Sequence, residues 1–173
     1  AQTTCRGFFM SDAQQHNKSV IRALCKSLYD FDEQGVRDIL KNIFCDDAVC
    51  HFNHPFGNLS ADQLYDGVFS PLVGALPDAE RRDMICIAGA SQDGTEWVGC
   101  AGHYLGRFMA PFLGIPPTGH IVHIRFHEFF RFVDGKVAEM QAIWDLPELM
   151  MQARVWPMGA SLGREWHVPS PAS

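Results

Sequence analysis

Apolar residues recur at helical spacing through the first part of the chain. Ile21, Leu24, Cys25 and Leu28 predict an amphipathic helix from Asp12 to Tyr29. Val36, Ile39, Leu40, Ile43 and Phe44 predict a second, set off by the acidic break Asp30 to Glu33. Ala48 to His54 reads as a short strand closed by Pro55 and Gly57. Ser60 and Gln63 have capping-box spacing, and Leu64, Val68, Leu72 and Leu76 then carry a third helix towards Pro77.

The second half changes period. Asp93-Gly94 and Asp134-Gly135 each separate runs rich in β-branched and aromatic residues, and Asp-Gly suits the positive φ angles of a type I′ hairpin turn. Four strands follow: Arg82 to Ala90, Thr95 to Phe108, His120 to Val133, and Lys136 to Trp144. The Pro-rich link Ala110 to Gly119 joins the two hairpins. Asp145, Pro147 and Glu148 then predict a last short helix, with Asp145 as N-cap and Glu148 completing a capping box. Helices followed by long antiparallel strands predict an α+β fold with one sheet face packed on the helices.

Alternation along the third long strand separates two faces. One carries Val122, Ile124, Phe126, Glu128, Phe130 and Phe132; the other carries His123, Arg125, His127 and Arg131. The fourth strand puts Ala138, Met140, Ala142 and Trp144 on one parity. Small Ala138 and Ala142 beside bulky rings leave room for a small apolar ligand, with His54, Phe126, Phe130, Met140, Ala142 and Trp144 as its expected lining. Glu128 is the one carboxylate on the apolar face. Desolvation there would raise its pKa and suit it to proton transfer. The other reading pairs it with an inward-facing His or Arg of a neighbouring strand. His103, among the glycines of GCAGHYLGR, is the expected helper, against a purely structural role.

Composition narrows the function classes. The chain has 173 residues, 47% hydrophobic, and a formal charge of −6. That charge argues against a nucleic-acid partner. No apolar run reaches bilayer length, and AQTTCRGFF lacks the pattern of a signal peptide, so a cytoplasmic protein is expected. The six cysteines form no C-x-x-C pair and read as free, mostly buried thiols. Cys45, Cys50, His51 and His54 cluster in sequence, but their spacing matches no zinc pattern; no metal and no cofactor are expected.

The segments GHYLGRF, GIPPTG and RFVDGKVAEMQAIWD, with Gln152 seven residues further on, resemble the SnoaL-like polyketide cyclases of the nuclear transport factor 2-like superfamily. The resemblance runs from about Val20 to Pro157. It implies a cone-shaped α+β fold, with a curved antiparallel sheet wrapped around the N-terminal helices and a deep apolar pocket. It also implies a homodimer formed through the sheet. The studied cyclases close a ring by a cofactor-free intramolecular aldol reaction, using a pocket Asp and an assisting His. Those positions fall on Ala142 and Glu128 here, so the acid of the aldol mechanism is replaced by Ala142.

The expected organisation is a domain over residues 1–156 and an irregular tail or linker over 157–173. The tail segment GASLGREWHVPSP resembles the connector of tandem SnoaL-like proteins. The functional expectation is a cofactor-independent acid/base enzyme (cyclase, isomerase or hydrolase type) acting on a small apolar carbonyl compound, with Glu128 and His103 catalytic. The alternative is a non-catalytic ligand-binding or dimerisation module of the same fold.

Overall fold

The computed structural model describes residues 10–158; residues 159–173, and with them most of the expected tail, lie outside the described residues. Helix α1 (Asp12–Asp30) opens on a capping box between Ser11 and Gln14, and buries Asn17, Ile21, Leu24 and Leu28. Asp32 caps α2 (Glu33–Ile43), whose Val36, Leu40 and Ile43 turn inward. Strand β1 (Phe44–Phe52) starts where α2 stops, four residues earlier than the apolar pattern places it. The chain turns through a cis His54–Pro55 bond into β2 (Asn58–Ser60), a three-residue strand with no periodicity to announce it.

The Ser60/Gln63 capping box is formed, but the helix behind it is not regular. A single 3₁₀ turn (Ala61–Gln63) and a π turn (Tyr65–Phe69) precede a short α3 (Ser70–Ala75). The wider π turn keeps Tyr65, Val68, Phe69 and Leu72 directed at the core. Four long strands follow: β3 (Glu80–Ala90), β4 (Glu96–Arg107), β5 (Ile121–Val133) and β6 (Lys136–Trp144). Helix α4 (Leu146–Gln152) closes the described chain.

The sheet has the order β2-β1-β6-β5-β4-β3 and does not close. It is mixed rather than wholly antiparallel, because β1 runs parallel to β6. Helix α1 lies across β3 and β4 on the concave side, and the core fills the space between sheet and helices. Among the described residues no helix is long and apolar enough to cross a membrane.

Three local features depart from the simple pattern. Asp134 and Gly135 both have positive φ, as a type I′ turn requires, whereas at the other hairpin only Gly94 does. There Gly94 N donates to Ser91 O and Ser91 N to Thr95 O, giving a longer loop with glycine in the left-handed position. A bulge in β6 shifts the register between Arg131/Glu139 and Phe132/Val137. Val137 therefore occupies the inner position that strict alternation gives to Ala138. A second bulge, at Met84 in β3, lies between the Asp83/Gly102 and Ile85/Ala101 pairs.

At Gly102 the sheet leaves no space for a side chain. A Cβ would stand 2.1 Å from the Arg82 carbonyl oxygen and 2.9 Å from Phe126 Cζ. Gly102→Ala should therefore destabilise the fold by about 2–3 kcal/mol in urea denaturation, as overpacking does. Gly89→Ala on β3, where nothing lies within 4 Å, should stay within about 0.5 kcal/mol.

Candidate functional site

Alternation on β5 brings Glu128 to the concave face, as the sequence pattern requires, and leaves it 1% exposed. Its neighbours come from three other strands. Arg81 of β3 is fully buried and donates through Nη1 to Glu128 Oε2 at 2.6 Å and to the Tyr104 hydroxyl at 2.7 Å. Tyr104 of β4 donates to Glu128 Oε1 at 3.2 Å, and Trp144 Nε1 of β6 donates to the same oxygen at 3.0 Å. Both carboxylate oxygens thus have donors. Arg81 also reaches Asp83 at 3.0–3.1 Å and stacks over the Phe126 ring, its Cζ 4.0 Å from the centroid.

The electrostatics follow from this packing. Burial is the largest single influence and would pull the Arg81 guanidinium down, but Glu128, Tyr104, Cys25 and Asp83 together outweigh it and hold the group well above its ordinary value. Burial pushes the Tyr104 phenol well above its ordinary value, so it remains a neutral donor. Cys50, on β1 near Glu128, is pushed up to about 12 by burial and then by the carboxylate, and stays a thiol.

Of the residues expected to line a pocket, Phe126, Phe130, Met140, Ala142 and Trp144 are brought together on the concave face. Ala142 is the direct cross-strand neighbour of Glu128. His54 is elsewhere, exposed in the turn after β1. Aromatic rings fill the region: the Trp144 centroid lies 4.6 Å from Tyr104, 5.7 Å from Phe56 and 5.9 Å from Phe52. Two hollows stand out among the described residues, and neither reaches Glu128. One, of about 430 Å³, lies on the convex face at Trp97, His127, Phe129 and Ile143. The other, of about 470 Å³, lies at the start of α1 beside Glu96 and Phe132.

His103 does not meet Glu128. It pairs with Arg125 on the convex face, its ring 5.5 Å from His123. Burial lowers its pKa, as do the neighbouring His123 and Arg125. Strand alternation gives the inward position to the next residue, Tyr104. The sequence cluster Cys45, Cys50, His51 and His54 is also dispersed: Cys50 points into the core, while His51 Nδ1 lies 2.8 Å from Asn58 Oδ1. Asp145 caps α4 by accepting from Glu148 N, but the Glu148 side chain turns to His123 Nε2 at 2.9 Å instead of completing the box.

Residues 22–153 match the SnoaL-like polyketide cyclase family. The chain belongs to that family. No curated protein sequence matches it. Solved structures agree on the fold. A protein assigned as a SnoaL-like polyketide cyclase from Jannaschia sp. CCS1 is 21% identical, with a TM-score of 0.69 over 88% of this chain and 100% of its own. AclR of Streptomyces galilaeus, assigned as a hydroxylase, is 19% identical, with 0.67 over 86% and 87%. IdmH of Streptomyces antibioticus, assigned as a polyketide cyclase, is 20% identical, with 0.65 over 80% and 99%. Within this SnoaL-like cone the sheet is nuclear transport factor 2-like, curved and open.

Sequence reasoning named Glu128 but neither Arg81 nor Tyr104. The signal for Arg81 was its place one residue ahead of the first predicted long strand, Arg82 to Ala90, two strands away from the lone inner carboxylate. An Arg81→Met substitution should cost about 3–5 kcal/mol in urea unfolding, because it strands a buried carboxylate. Adding Glu128→Gln should recover part of that loss, and a simple sum of the two single effects would show that the groups are not coupled.

Proposed function

We propose that this SnoaL-like domain is a cofactor-independent acid/base enzyme acting on a small apolar carbonyl compound, with Glu128 as the proton-transferring group. The observation that carries the reading is the pairing of Glu128 with Ala142. The carboxylate stands one strand away from the position where the resembling cyclases keep their acid, on the same concave face. Glu128 takes a proton from the carbon next to the carbonyl, and as its carboxylate is neutralised Tyr104 and Trp144, which donate to it in the resting site, turn to the oxygen on which negative charge develops. His103 takes no part, because it lies across the sheet.

A second reading is favoured by a specific observation. Glu128 already has partners from three strands, and the hollows among the described residues lie elsewhere. In that reading the carboxylate braces the sheet and the domain binds or dimerises without chemistry. Proton exchange separates the two. Apolar ketones incubated with the chain in D₂O should exchange their α-protons, followed by NMR, and Glu128→Gln should slow this by about two to four orders of magnitude. Equal exchange with the wild-type chain and the Gln variant would overturn the catalytic role.

The proposed partner is a second copy of the chain, joined through the convex face. Ile87, Ile121, Phe129 and Ile143 are exposed there, Ile121 by 70%, beside the Arg131–Glu139 ion pair. An apolar patch with both charge signs suits a self-complementary two-fold contact. Sedimentation should give the mass of two chains, and Phe129→Glu should give one chain with the far-ultraviolet circular dichroism unchanged.

A further inference from the structure

Three cysteines distant in sequence converge beside the Arg81 network. Cys25 comes from α1, Cys86 from β3 and Cys100 from β4, where Cys86 and Cys100 are direct cross-strand partners. Cys100 lies next to both of the others, across the strand pair from Cys86 and with its Sγ within 4.8 Å of the Cys25 Sγ. The fourth member is Asp83. The Met84 bulge turns Asp83 and Cys86, three residues apart, to the same side of β3. Without that extra residue, alternation would send them to opposite faces.

We infer that Cys25, Cys86, Cys100 and Asp83 form a binding site for a thiophilic divalent cation of the zinc type. The Sγ atoms of Cys25 and Cys100 and a carboxylate oxygen of Asp83 lie within 4.8 Å of one another, while Cys86, the cross-strand partner of Cys100, stands outside that spacing. In a tetrahedral zinc site with Zn–S bonds of about 2.3 Å, ligand atoms stand about 3.8 Å apart. The three atoms therefore need contraction by about an ångström and the Cys86 thiol a larger swing, both made by side-chain rotation. Three sulfurs and one oxygen favour a soft d¹⁰ ion over calcium or magnesium.

The surroundings supply what such a site requires. Arg81 Nε and Nη2 donate to Asp83 and orient it, the role that an outer hydrogen-bond partner plays for a ligating carboxylate. Three thiolates and a carboxylate around a dication leave two negative charges. Arg81, Lys18 and Arg22 lie close enough to offset them. Closure of the site expels the thiol protons to solvent as the metal–sulfur bonds form. It would tie α1 to β3 and β4 at the base of the Glu128 network.

The test uses the full chain, reduced and handled without oxygen. Zn²⁺ should bind at one ion per chain in competition with a chromogenic chelator, and raise the thermal unfolding midpoint. Cd²⁺ in its place should give the ultraviolet thiolate-to-metal charge-transfer band. Cys100→Ser should weaken Zn²⁺ binding by at least about a hundredfold, beyond what loss of an outer partner costs. Cys25→Ser, at a half-buried helix position, should do the same if the Cys100 variant fails to fold. Cys45→Ser, on β1 and outside the cluster, should leave affinity unchanged. Binding that is equal in wild type and Cys25→Ser, or a Cys86–Cys100 disulfide that forms in place of a metal complex under these conditions, would overturn the site.

Discussion

A single buried charge pair ties together the four long strands of this domain. Arg81 enters from β3, Tyr104 from β4, Glu128 from β5 and Trp144 from β6, and their polar atoms meet in a region closed to solvent. Moving either charge alone into such a region costs several kcal/mol. The arrangement is tolerable only because each donor is matched to an acceptor and Phe126 provides a ring face for the guanidinium. The strands must keep their register for this to hold, since a slip of one residue would turn Glu128 to solvent and leave Arg81 unpaired.

The same pair defines what the concave face offers to chemistry. On that face Glu128 stands opposite Ala142 of β6, a side chain with no charge and little volume. The aromatic side chains of Phe52, Phe56 and Trp144 pack together nearby. The guanidinium partner of Glu128 does not give up its proton, so the pair stays charged rather than sharing a proton.

Much of this was written in the alternation of β5. Its inner row from Val122 to Phe132 identified the concave face and its lone carboxylate, and the Asp-Gly pairs marked both hairpins. The partners were harder to read because they depend on register across strands. Tyr104 and His103 are adjacent, and only the pairing of β4 with β5 decides which of them faces inward. Bulges defeat parity in the same way: Val137 takes the place assigned to Ala138, and Asp83 joins Cys86 only because Met84 is extra. The π turn at Tyr65–Phe69 and the three-residue β2 carry too short a pattern to be seen. The cysteine cluster brings together an α-helix and two strands, which spacing along the chain cannot express.

The parallel pairing of β1 with β6 has a consequence for the order of assembly. Strands β3 to β6 form an antiparallel meander with contacts between chain neighbours, so it can grow by successive hairpins. Strand β1 has only the short β2 beside it until Phe52 meets Ala142, far along the chain. During synthesis the segments up to β2 therefore wait with one bare backbone edge, and β6, the last of the described strands, is the one that covers it.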